Sequence, residues 1–110
     1  MSAAIDRTLT ALADPHRRHV VELLRVKPRP AGELAKVVGL APSAMSRHLR
    51  TLKESGLVEE SHPVFDARVR IYSLKAQPMA DLIRWLEETE RMWSQQLLAF
   101  KAHIEADDTP

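Results

Sequence analysis

Apolar positions change period along the chain, and the changes divide it into elements. Ile5, Leu9 and Leu12 recur at helical spacing, which predicts an amphipathic helix over 2–13. Asp14-Pro15 interrupts it. Asp14 suits an N-cap, and Pro15 suits a first helical turn, where no amide donor is needed. A second helix carries Val20, Val21, Leu23 and Leu24 to about Lys27, and Pro28 and Pro30 end it. Leu34, Val37 and Val38 predict a short third helix, Ala31 to Val38, with Gly39 as its C-terminal cap. Leu40-Ala41 forms a corner, Pro42 opens a fourth helix, and Ser55-Gly56 closes it. The period then falls to two. Leu57 to His62 and Arg68 to Leu74 read as strands joined through 63–67, a connection without an Asn-Gly turn. From Pro78 to His103 the helical period returns, with Met79, Leu82, Ile83, Leu86, Trp93, Leu97, Phe100 and Ile104 in one stripe.

This order predicts a mainly α fold with a small β-hairpin, and two short helices joined by a Gly-containing corner are the signature of a helix-turn-helix. Together with the hairpin it reads as a winged helix-turn-helix, a single domain over 1–106 followed by a disordered tail at 107–110. A chain of 110 residues buries a modest core, so a partner subunit would add stability. The first and last helices carry apolar stripes outside the compact middle. Ile5, Leu9 and Leu12 on the first, and Leu82, Leu86, Trp93, Leu97 and Phe100 on the last, are therefore candidates for a homodimer interface.

Composition narrows the function. The absence of cysteine excludes disulfides, thiolate metal sites and thiol redox switches within this chain. No apolar run is long enough to span a bilayer, which leaves no membrane partner and the cytoplasm as the default location. No serine sits in a nucleophile elbow, the three glycines are too scattered for a phosphate loop, and no catalytic constellation or cofactor motif is present, so an enzyme is not expected. The net charge is only +1, but it is unevenly spread. From His16 to Lys53 nine Lys/Arg face two Glu, a net of +7; from Pro78 to Pro110 three Lys/Arg face seven Asp/Glu, a net of −4. A basic middle and an acidic end fit a DNA-facing surface and a partner-facing one.

The fourth helix concentrates the candidate chemistry. Met45, Leu49 and Leu52 fall on one face, which must pack inward. The remaining surface shows Ser43, Ala44, Ser46, Arg47, Arg50 and Thr51, small at its start and basic further along. Small residues let a helix sit deep in the major groove of double-stranded DNA, and Arg can reach guanine edges or hold phosphates. Arg68 and Arg70 alternate with Val69 and Ile71, so both are expected on one strand face, within reach of phosphates or a minor groove. Two other readings stay open: a winged helix that binds protein and no DNA, and a sensor whose switch lies at the dimer interface, where Trp85 and Trp93 could line an apolar pocket.

Leu12-Ala13-Asp14-Pro15-His16-Arg17-Arg18, Gly32-Glu33-Leu34-Ala35, Ser43, Ser46-Arg47-His48-Leu49, Leu52 and Gly56-Leu57-Val58 together resemble the ArsR/SmtB family of bacterial regulators over nearly the whole chain. The resemblance implies a homodimer built through the first and last helices, binding a palindromic operator, usually as a repressor. Carried over by position, it implies DNA contacts from Ser43, Ser46, Arg47 and Arg50, a place at the core edge and near the DNA backbone for His48, and wing roles for Arg68 and Arg70. The chain departs from the metal-sensing members. Pro30 and Gly32 stand where one class has a Cys-x-Cys pair, and the last helix offers His103 with a charged Glu87, Glu88 and Glu90 face. His16 and His19 read as surface or capping residues. No metal site is expected, and the likeness is to the metal-independent branch, with the effector unspecified.

Overall fold

The computed structural model describes residues 3–107. They fall into two compact units, divided between Met79 and Ala80. The elements are α1 (Ala3–Leu12), α2 (Pro15–Val26), β1 (Arg29–Pro30), α3 (Ala31–Val38), α4 (Pro42–Glu54), β2 (Val58–Ser61), β3 (Ile71–Leu74) and α5 (Ala76–Asp107). The mainly α fold with a small wing is therefore observed. Asp107 closes α5, and the remainder of the expected tail lies outside the described residues.

Local chemistry sets the helix boundaries. The Asp14 carboxylate accepts from the amides of His16 (2.8 Å) and Arg17 (3.2 Å), which caps α2. Gly39 ends α3 at φ +82°, a left-handed conformation, and its amide returns to Ala35 O at 2.9 Å. Pro42 then starts α4 in its first turn, where the missing amide donor costs nothing. The expected bounds of α3 and the start of α4 hold to the residue.

The core of the first unit is Val20 and Leu24 from α2, Leu34 and Ala35 from α3, and Met45, Leu49 and Leu52 from α4, closed by Leu57, Val58, Tyr72 and Ala11. Truncating a fully buried member such as Leu34 costs about 2–5 kcal/mol in comparable cores. The core thus consists largely of the helix-turn-helix and the helix beneath it.

The sheet differs from the expected hairpin in two ways. It has three strands in the order β1-β3-β2, all antiparallel, because Arg29 pairs with Tyr72 and Pro30 with Ile71. Pro30 lacks an amide donor and sits on an edge strand, where that lack is tolerated. The second wing strand also begins at Ile71 rather than at Arg68. Asp66 explains the delay. Its Oδ1 accepts from the Arg68 amide (3.0 Å), while Asp66 N donates to Pro63 O and Val69 N to Asp66 O, each at 3.3 Å. These turns hold 63–69 off the ladder, so Arg68 and Arg70 do not alternate on a strand.

α5 runs for 32 residues, starting two positions earlier and ending four later than the apolar stripe predicts. Among its apolar residues Leu82 is buried, while Ile83, Leu86, Trp93, Leu97, Phe100 and Ile104 are exposed.

The two glycines of α3 and its cap should respond oppositely to alanine. Apart from the adjoining backbone and chain neighbours, nothing lies within 4 Å of a Cβ at either Gly32 or Gly39, so space does not decide the outcome. Gly39→Ala should lose about 1–2 kcal/mol from left-handed strain. Gly32→Ala, within a helix, should gain up to about 1 kcal/mol. Urea unfolding of both variants checks this, and shifts of the same sign would contradict it.

Candidate nucleic-acid interface

α4 divides as its sequence implies. Met45, Leu49 and Leu52 are buried, which turns Ser43, Arg47 and Arg50 outward; Ala44, Ser46, His48 and Thr51 are half-buried at the flanks. Ala41, the N-cap, supplies no side-chain acceptor, so no side chain caps the first-turn amides of α4. A helix start of that kind attracts anions.

On one flank α4 and the wing enclose a cleft of about 120 Å³ between Ser46, Arg50 and Lys53 on one side and Glu60, Arg70 and Tyr72 on the other. An Arg70 guanidinium nitrogen lies 3.5 Å from Ser46 Oγ, a long contact that ties the foot of the wing to α4. Arg70 therefore stays with the outward face of α4 although it is not a strand residue. Lys53 Nζ donates to Glu60 Oε2 at 3.0 Å. That hydrogen bond, the largest influence, holds the Glu60 carboxyl below its usual range against the opposing effect of burial. The Arg70 charge also helps to hold Glu60 down, but among the described residues neither Arg50 nor Arg70 closes to an ion pair with it, whereas Lys53 is partly neutralised.

The other flank is different. Thr51 Oγ1 donates back to Arg47 O at 3.2 Å, and Thr51 borders a crevice of about 250 Å³ with Asp6, Arg7, Thr10 and Glu54. Thr51 therefore faces α1 and is separated from the basic cleft. Arg68 lies at the wing tip, paired with Asp66 at 3.2 Å.

His48 belongs to a junction that ties α4 to α1 and α2. Arg17 Nε donates to Ala11 O (2.7 Å), one terminal nitrogen donates to Thr10 O (3.2 Å), and the other meets His48 Nδ1 at 3.1 Å. Arginine has no acceptor, so His48 Nδ1 accepts and its ring proton sits on Nε2. Arg18 adds a bond to Leu12 O at 2.8 Å. The unsatisfied carbonyls ending α1 thus receive cationic donors, the favourable sign at a helix C-terminus. The His16 ring lies 5.8 Å from that of His48. No group of three or more His, Asp or Glu that could hold a metal occurs among the described residues.

Sequence reasoning overlooked Lys53 and Arg17. Lys53 was legible, three residues beyond Arg50 on the same face. Arg17 was not, because its partners lie 6, 7 and 31 residues away. Of the expected dimer residues, Ile5 is half-buried, Leu9 is exposed, and Leu12 packs on the core of its own chain. Leu82 is buried, and Leu86, Trp93, Leu97 and Phe100 are open. Among the described residues no helix is long and apolar enough to cross a membrane.

Comparison with known proteins places this geometry. A helix-turn-helix domain family matches residues 12–61. The HTH-type transcriptional regulator Rv2034 of Mycobacterium tuberculosis is 37% identical over 106 residues, covering 94% of each chain. The crystal structure of the ArsR family transcriptional regulator RHA00566 superposes with a TM-score of 0.75 at 30% identity, covering 83% of this chain and 97% of that one. The homodimeric winged helix-turn-helix DNA-binding domain Mb0332 of Mycobacterium bovis shares the fold at a TM-score of 0.61 and 23% identity, over 86% of this chain and 82% of that one.

The Asp14 cap gives the junction a pH dependence. Burial alone would raise the Asp14 carboxyl, but the hydrogen bonds from the Arg17 and His16 amides and the Arg17 charge outweigh it and hold it below the ordinary 3.8. A depressed carboxyl stabilises the fold fully above its unfolded value and loses that contribution as pH falls through the folded one. Asp14→Ala should cost about 0.5–2 kcal/mol near neutral pH. That gap should shrink as pH drops below 3.8. Equal gaps in unfolding measurements at about pH 7 and about pH 3 would contradict it.

Proposed function

The chain belongs to the ArsR/SmtB family of winged helix-turn-helix transcription regulators, and from that premise we propose that it is a homodimeric repressor that reads a palindromic operator through the outward face of α4. It is a DNA-binding regulator and not an enzyme. The observation that carries the finer reading is the continuity of exposed polar surface from Ser43, Arg47 and Arg50 on α4 to Arg70 at the foot of the wing. In this reading Ser43 and Ser46 take phosphates or base edges near the helix start, and Arg47 and Arg50 supply the long donors. Ala44 lets the helix approach closely, and His48, held by Arg17, lies beside the backbone. Thr51 supports α4 through its bond to Arg47, and Arg68 and Arg70 extend the footprint along the wing.

The dimer reading rests on α5. Ile83, Leu86, Trp93, Leu97, Phe100 and Ile104 are all exposed and recur at alternating steps of three and four residues, interrupted at Glu90. That spacing is a coiled-coil seam, which a second copy would cover. On α1, half-buried Ile5 and exposed Leu9 are further candidates for contact with a second copy. One domain over 1–106 then serves both DNA binding and dimerisation, with each recognition helix in a major groove and half-sites about one helical turn (~34 Å), or a multiple of it, apart. With no cysteine in the chain, any effector would act by means other than thiolate metal binding.

Arg47→Ala should lose roughly 1–3 kcal/mol of operator affinity. Fluorescence anisotropy against a site selected from random DNA measures it, and unchanged affinity would remove Arg47 from the interface. Leu97→Glu with Phe100→Glu should give monomers in sedimentation velocity runs, whereas an intact dimer would place the interface elsewhere.

A further inference from the structure

Glu60 places one negative charge among the cations where α4 meets the wing. It lines the cleft with Arg50, Lys53 and Arg70. Its Oε2 accepts from Lys53 Nζ at 3.0 Å, its Oε1 lies 3.6 Å from His62 Nε2, and the Arg70 charge acts on it. In the wing ladder it stands opposite Tyr72, whose buried hydroxyl hydrogen-bonds to it. The Glu60 side chain is 16% exposed and that of Lys53 is 55% exposed. The carboxylate is therefore recessed, and the lysine is what an incoming ligand would meet.

Stability is a weak reason for this pair. A lysine left half in water gains little from a carboxylate, and drawing the carboxylate out of water costs hydration. Position is a stronger reason. Lys53 follows Arg50 by three residues on one side of α4, and Arg70 stands across the cleft from both. An ammonium group beside two guanidinium groups is placed to neutralise a phosphate. Among the described residues, Glu60 is the acid that engages it. Glu54 lines the crevice toward α1, and Glu59 is exposed at the neighbouring strand position, which points to the opposite side of the sheet.

We propose that Glu60 limits the sequence-independent part of the DNA affinity by holding the Lys53 ammonium away from the DNA backbone, so that the interface makes one phosphate contact fewer than its cations would allow. Phosphate contacts strengthen binding to every duplex, whereas base contacts tell duplexes apart. With Lys53 withheld, a larger share of the affinity comes from the base-facing part of α4, and less protein is retained on other DNA. The proposal rests on the DNA-binding reading above and deepens it by naming a residue that restrains that binding.

The test follows binding of the full chain to a labelled random-sequence duplex by fluorescence anisotropy over a series of salt concentrations. On B-form DNA the slope of log K against log [salt] is about −0.9 for each phosphate neutralised. Glu60→Gln keeps the shape of the side chain and removes its charge. It should steepen the slope by about 0.9 and tighten binding roughly threefold to tenfold near 0.1 M salt. Lys53→Gln combined with Glu60→Gln replaces the ion pair with two neutral amides, and its slope should equal that of wild type. Glu59→Gln removes the adjacent charge without touching Lys53 and should leave the slope near that of wild type. A double variant with a slope shallower by about 0.9 would mean that Lys53 already holds a phosphate, and the proposal would fall. It would fall equally if Glu59→Gln steepened the slope as much as Glu60→Gln, because net charge alone would then be acting. Weaker binding by Glu60→Gln at an unchanged slope would make Glu60 a structural tie and overturn the proposal as well. Thermal unfolding followed by circular dichroism checks each variant, and the double variant decides the matter if Glu60→Gln alone does not fold. These outcomes leave the α4 reading intact. A wild type that binds no duplex at low salt would overturn that reading, and the proposal with it.

Discussion

The two faces of α4 are a single constraint. Met45, Leu49 and Leu52 must leave water to complete the core with Leu34 and Val20, and the helical period then leaves Ser43, Arg47 and Arg50 in it. The apolar residues hold the polar ones at a fixed rotation, and neither set could move without the other. Most of the fold serves to keep that rotation. α3 and its Gly39 cap set the corner from which α4 departs, and β2 follows directly from its end, with Leu57 N donating to Leu52 O at 3.1 Å. A recognition surface carried by a rigid helix in a packed core is positioned more finely than one carried by a loop.

The Arg17 junction extends the same constraint to the first helix. One guanidinium bonds carbonyls of α1 and the His48 ring of α4, while the Asp14 cap fixes the backbone from which Arg17 projects. On the proposed reading α1 contributes to the dimer, so the junction would be the route by which subunit contact fixes the DNA-facing helix. Its donors are cationic and its acceptors are mostly carbonyls, which makes these stronger than neutral hydrogen bonds.

Much of this was legible because its causes are local. Asp14-Pro15, Gly39 and Pro42 act within one turn of themselves, and the α3 and α4 boundaries follow from them. The inward and outward faces of α4 follow from spacing alone. What escaped the sequence depends on distant partners. β1 is two residues long, too short for any period, and exists because Tyr72 and Ile71 lie opposite it. The wing was read as longer strands because Arg68 to Ile71 alternates in type, but the Asp66 turn overrides that alternation. Arg17 carries no local sign of its role, because its partners lie 6, 7 and 31 residues away. Val64 and Phe65 passed as loop residues, since sequence does not say that a turn leaves them in the open.

On the proposed reading, the outward face of α4 lies in the major groove. Methylation interference at guanine N7, an atom displayed only in that groove, tests it most directly. The full chain on its selected operator should give two clusters of interfering guanines, symmetric and about one helical turn (~10 bp) or a multiple apart. Tight, salt-sensitive binding that no N7 methylation disturbs would contradict it.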